Sequence, residues 1–217
     1  MESIAVPWDW YTVRAAGLVG FLLLYVSIFV GTASCLPGIG KYFLRLRSLN
    51  FHCWISLQAF VFVLIHGIFL LFDRAVPFSA ADILIPFHSG YEPGLVALGI
   101  IAFYLMIALV VSSYLRKYIS HSLWRGIHFL NLSLYFLAVI HALYLGTDLQ
   151  SGFPKWIFIW ANAILMVLLL FNLVHRIWKT LKKEPLKCET QSAYENIRQG
   201  VTPVGPERSP ENFRRRI

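Results

Sequence analysis

FHCWISLQAFVFVLIHGIFLLF, residues 51–72, and WRGIHFLNLSLYFLAVIHALYL, residues 124–145, decide the fold. Each is apolar over about the 20 residues that a helix needs to cross a hydrocarbon core. Each also carries two histidines, His52 and His66 in the first and His128 and His141 in the second. An ionisable side chain inside a bilayer costs free energy unless it is paired, solvated or coordinated. Two matched pairs, at intervals of 14 and 13 residues, therefore read first as metal or haem ligands. The alternative, in which each ring serves helix packing by bonding a serine, an asparagine or a backbone carbonyl, suits one isolated histidine better than two pairs.

The rest of the composition fits the same solvent. Hydrophobic residues make up 58% of the 217 and charged residues only 14%, with a mean hydropathy of +0.64, which excludes an ordinary soluble domain. The net charge of +8 does not indicate nucleic acid, because the basic residues gather beside the apolar runs, where topogenic charge accounts for them. Cys35, Cys53 and Cys188 form no Cys-x-x-Cys pair, so neither a disulfide framework nor thiol chemistry is implied.

Five runs are long enough to span a membrane, at roughly 13–35, 51–73, 93–115, 124–146 and 155–178. The expected fold is an all-α integral membrane bundle of about five helices over residues 1–178, followed by a flexible cytoplasmic tail over 179–217. That tail holds Pro185, Pro203, Pro206 and Pro210 with mixed charge and little apolar periodicity. Lys41, Arg45, Arg47, Arg116, Lys117, Arg125 and everything from Arg176 onward fall on one side, Arg14, Arg74 and Lys155 on the other. This positive-inside asymmetry places the N-terminus outside and the C-terminus in the cytoplasm, in what reads as a bacterial inner membrane. Trp8, Trp10, Tyr11, Trp156 and Trp160 suit an outer aromatic belt, and Trp124 and Trp178 an inner one. The first run is expected to stay in the mature protein, since its start is acidic at Glu2 and Asp9 and its apolar region is too long for a signal peptide.

Helix geometry sharpens the histidine reading. The second and fourth spans run in the same direction, so His52 lies level with His128 and His66 with His141, the two levels about 20 Å apart. Facing imidazoles on such helices clamp a haem iron and leave no open coordination position. At 100° per residue, His52 and His66 return to within about 40° of one another, whereas His128 and His141 end about 140° apart. Helix distortion, tilt or haem rotation must absorb the difference, and Gly126 or Asn131 could help. Gly67, Ala59, Ala138 and Ala142 are small enough to admit a planar cofactor, and Phe60, Phe62, Phe129, Tyr135 and Phe136 could line it. Arg47 and Arg125, at the inner edge, could pair with haem propionates. His88, His121 and His175 fall in loops or at a span end, where interfacial solvation satisfies them.

The segments Asn50-Phe-His-Cys-Trp, Leu64-Ile-His-Gly, Trp124-Arg-Gly-Ile-His-Phe-Leu-Asn and Leu137-Ala-Val-Ile-His-Ala-Leu-Tyr resemble the haem-binding helices of the ferric reductase-like transmembrane superfamily. The resemblance covers roughly residues 45–178. It implies two b-type haems ligated by His52, His66, His128 and His141, and electron flow from inside to outside. Superfamily members commonly have six spans, where five are counted here, and many carry a cytoplasmic flavin and nicotinamide domain. No such domain is visible in this sequence, which has no Gly-x-Gly-x-x-Gly turn. In that respect it is similar to the minimal bacterial haem subunits of the MsrQ type, which supply electrons to a periplasmic methionine sulfoxide reductase. The implied partners are membrane lipid, a separate flavoprotein reductase or quinol as donor, and a periplasmic reductase, ferric iron or oxygen as acceptor. A quinone-linked cytochrome b anchor of a periplasmic oxidoreductase is the second reading, and a non-redox bundle with structural histidines the third.

Overall fold

The computed structural model describes residues 8–33, 49–74 and 76–182. Within them the chain is all helical: α1 (Trp8–Ala33), α2 (Leu49–Leu70), α3 (Ala80–Leu84), α4 (Pro93–Tyr114), α5 (His121–Phe129), α6 (Asn131–Leu145) and α7 (Gly152–Leu181), with a 3-10 turn at Thr147–Leu149. Five stretches are long and apolar enough to cross a membrane, with α5 and α6 together forming the fourth. The protein is thus an integral membrane helical bundle, as its composition implies. The first helix begins at Trp8, several residues earlier than expected, and the last runs to Leu181. Arg47, Cys35, Cys188 and nearly all of the expected tail lie outside the described residues.

α1 packs along α2 and α4 along α6, so each histidine-bearing span is backed by a neighbour that carries no histidine. The core lies midway along the spans, where Leu24, Ile28, Ala59, Ala102, Met106, Leu109, Leu134, Tyr135 and Leu165 meet. Apolar packing alone holds helices weakly in lipid, because the tails are as apolar as leucine; buried polar contacts supply orientation. Here Tyr135, fully buried, donates from its hydroxyl to Asn162 Oδ1, and Asn162 Nδ2 bonds the Phe158 carbonyl at 2.7 Å, tying α6 to α7. Tyr25 adds a bond to the Ala161 carbonyl at 3.2 Å, tying α1 to the same helix. At the end where α1 begins, the Arg14 guanidinium grips the Asp148 carboxylate with two nitrogens, Nε at 2.8 Å, and rests on the Trp10 ring at 3.9 Å.

The loop between α2 and α4 is ordered by charge. Ser79 caps α3, and Asp82 accepts from the Ser79 backbone at 2.8 Å and from His88 Nδ1 at 2.9 Å. These bonds, Ser79 foremost, hold the Asp82 carboxyl well below its ordinary range, at about 2. His88 is thus engaged with a carboxylate as well as solvated.

The fourth span breaks at Leu130, between the two histidines it carries. Leu130 N–H bonds the Ile127 carbonyl, three residues back, at 3.0 Å, and α6 restarts at Asn131. A 3-10 step turns the chain by about 120° where an α step turns it by about 100°, so one tightened turn recovers roughly 60° of the offset that the 13-residue interval would leave. The distortion expected at Gly126 or Asn131 falls at Leu130 instead; Gly126 sits inside α5.

Candidate functional site

His52 and His128 face one another across the bundle with ring centroids 6.4 Å apart. His66 and His141 form a second pair, close enough for a charge on one ring to be felt at the other. All four rings are partly buried. Of the level-by-level pairing expected from helix direction, the structure brings the His52 and His128 rings together.

Hydrogen bonding decides which nitrogen of each ring carries the proton. His66 Nδ1 lies 2.9 Å from the Val13 carbonyl and His141 Nδ1 2.8 Å from the Leu95 carbonyl. A carbonyl only accepts, so both rings must carry hydrogen on Nδ1, and the Nε2 lone pair remains for another partner. His52 reaches the same state through hydroxyls. Ser56 donates its one proton to the His52 carbonyl at 2.8 Å, so the 2.7 Å contact between Ser27 and Ser56 must use the Ser27 proton. The Ser27 oxygen is then left as acceptor for His52 Nδ1 at 3.3 Å. His128 differs: its ring stacks on Trp124 at 4.9 Å and 20°.

Glycine brings the neighbouring helices close enough for these bonds. A Cβ on Gly17 would meet His66 Nδ1 at 3.0 Å, and one on Gly31 would meet His52 Cε1 at 3.5 Å. A Cβ on Gly99 would fall on the His141 ring, 2.5 Å from Cε1 and 2.7 Å from Nδ1. In each case the hydrogen-bonding residue stands four positions before the glycine: Val13 before Gly17, Ser27 before Gly31 and Leu95 before Gly99. One helical turn thus supplies a flat floor for the ring and an acceptor for its Nδ1.

These features fit a haem. Two imidazoles on opposite sides of one metal ion, each with a bond of about 2.0–2.1 Å and a ring nitrogen about 1.1 Å from its centroid, stand about 6.3 Å apart centroid to centroid. The His52 and His128 centroids stand 6.4 Å apart, a separation of that size, with the ring planes inclined at 69°. Among the described residues no group of three His, Cys, Asp or Glu gathers as a protein-built metal centre would need. A facing imidazole pair is the whole protein share of a six-coordinate haem iron.

The expected lining residues divide. Phe60 stacks in parallel on Phe103, 6.0 Å away, and Gly67 opens on free space within 4 Å of where its Cβ would lie. Tyr135 and Ala59 belong to the core. Phe129 and Phe136 are more than half exposed on the bare protein surface. Among the described residues Arg125 is exposed, and the Arg116 guanidinium lies 4.3 Å from the centre of the Trp124 ring, beside the His52–His128 pair. His121 stacks on Trp124 at 6.0 Å, one ring removed from His128, and His175 stacks on Phe171 at 6.2 Å. The glycine floors escaped the sequence reading, although Gly17 and Gly31 repeat the 14-residue interval of His52 and His66 and so mark an antiparallel partner in register.

A family model described as the ferric reductase like transmembrane component matches residues 16–140, more than half of the chain. No curated protein and no solved structure matches the chain significantly.

Proposed function

This chain belongs to the ferric reductase-like transmembrane family, and we propose that it is a membrane cytochrome b that relays electrons between the two faces of the bilayer by two b-type haems. His52 and His128 would hold the inner haem, His66 and His141 the outer. The observation that carries the reading is the proton placement: His52, His66 and His141 each keep hydrogen on Nδ1 and present Nε2, the form in which neutral imidazole ligates a metal. When bound, haem supplies a reversible one-electron couple at each level.

The chain's own residues define how that couple would work. Nδ1–H bonds to fixed carbonyls orient the rings and raise their basicity, favouring the ferric state. They also hold the ligand protons in place, so electron passage needs no proton gain or loss at the histidines. The packed apolar core between the levels excludes water from the middle of the route. The positive-inside charge pattern supports a cytoplasmic C-terminus and flow from inside to outside in a bacterial inner membrane. The donor would be a separate flavoprotein reductase or a quinol, and the acceptor a periplasmic redox protein, ferric iron or oxygen.

The test is ligand pairing. His66→Ala and His141→Ala should each remove one and the same haem, His52→Ala and His128→Ala the other, and His88→Ala neither. In proteoliposomes the outer-ligand variants should keep an inner haem reducible from the side bearing the C-terminus but lose delivery to an external acceptor. If His66→Ala removes the haem that His128→Ala removes, the pairing is wrong.

A further inference from the structure

Trp124 Nε1 is buried and finds no acceptor among the described residues. An indole N–H only donates, and a donor shut away from both water and acceptor costs about 1–3 kcal/mol, so its burial calls for an explanation. Three neighbours say where it stands. Its ring stacks on His128, one turn along α5; His121 stacks on it at 6.0 Å; and the Arg116 guanidinium lies over it at 4.3 Å. Trp124, in the first turn of α5, and Arg116, just after α4, therefore sit together beside the His52–His128 pair.

Resting on the two-haem reading above, we propose that Trp124 Nε1–H and the Arg116 guanidinium form a carboxylate clamp that fastens a propionate of the inner haem. The donor-only indole requires an acceptor, and the adjacent cation selects an anionic one. Arginine has five N–H donors, so a guanidinium stacked on the indole keeps capacity for a carboxylate beside its other contacts. The stack on Trp124 also fixes the His128 ring, which gives one side chain two tasks: orienting an axial ligand by its face and holding the macrocycle by its edge.

The experiment compares wild type, Trp124→Phe and Arg116→Gln, each loaded with haem b or with haem dimethyl ester, which lacks the carboxylates. Haem loss to an excess of an apo haem-binding protein is followed at the inner and outer absorption bands. Trp124→Phe keeps the aromatic stack and deletes the donor. With haem b it should release the inner haem roughly tenfold faster or more, leaving the outer haem unchanged. Arg116→Gln should do likewise. With the dimethyl ester both variants should release it at the wild-type rate. Equal acceleration with both cofactors, or no acceleration with haem b, overturns the clamp. Should Trp124→Phe fail to assemble, Arg116→Gln decides by the same comparison. A protein that binds neither cofactor in wild-type form refutes the haem reading itself, an outcome distinct from failure of the clamp.

Discussion

Replacing Gly99 by alanine should dislodge His141 and, with it, the outer haem. The added carbon would lie 2.5 Å from His141 Cε1, 2.7 Å from Nδ1 and 3.0 Å from Nε2, where carbon contacts settle at about 3.5–4.0 Å. The intrusion is about 1 Å. α4 cannot retreat by that much without opening the packing of Ala102 and Met106 against Leu134 and Tyr135, so the imidazole must move. A metal–ligand distance tolerates only about ±0.2 Å. Overpacking of this kind costs about 1–3 kcal/mol, offset by up to about 1 kcal/mol from replacing glycine inside a helix. Outer-haem affinity should fall by about tenfold, and the outer reduction wave should shift or vanish. Gly31→Ala is the control, because its Cβ meets His52 Cε1 at 3.5 Å and Nδ1 at 3.8 Å, ordinary contacts, and should leave both haems in place. Gly17→Ala, at 3.0 Å from His66 Nδ1, should fall between. Haem content by extraction and a potentiometric titration of the purified variants provide the assay. Gly99→Ala with both haems and unshifted waves, or Gly31→Ala as damaging as Gly99→Ala, would refute the reasoning.

Ser27→Ala removes the hydroxyl acceptor beside His52 Nδ1 and keeps the Ser27 backbone; the less firmly bonded imidazole should raise the inner haem's potential and weaken its binding by about threefold, both read by redox titration. Tyr135→Phe leaves Asn162 Oδ1 without its donor at the α6–α7 contact and should lower thermal stability by about 0.6–2 kcal/mol, with both haem spectra unchanged. The Asp82 bonds act through linkage: its folded pKa, about 2, lies below the ordinary 3.8, so they stabilise the loop fully above pH 4 and the contribution is lost as pH falls toward 2. Hydrogen exchange at Ser79 and Asp82 should accelerate over that window in the wild type, relative to its intrinsic pH dependence, and not in Asp82→Asn.

How much of this was legible depended on which signals are periodic along one segment. The five spans were visible because each is a single run set against the thickness of a bilayer, and the histidine levels followed from helix rise alone. The position of the break in the fourth span was not visible: the 13-residue interval required a twist somewhere, but Leu130 carries no mark of it, since neither glycine nor proline stands there. The floors under the rings depend on which helices pack together. Gly17 and Gly31 gain meaning only once α1 is known to run against α2, and Gly99 once α4 is known to run against α6. Arg116 and Arg125 are equivalent as inner-edge charges, and only the folding of the α4–α5 connection brings Arg116 over Trp124.

The most direct measurement is the haem content and reduced-minus-oxidised spectrum of the purified wild-type protein. The account predicts two non-covalently held b-type haems per chain, both low-spin and six-coordinate, because His52 pairs with His128, the proposed reading pairs His66 with His141, and the sequence has no Cys-x-x-Cys-His attachment motif. A correctly folded, colourless protein would contradict it, as would a single haem that survives loss of His52 and His128 together and of His66 and His141 together.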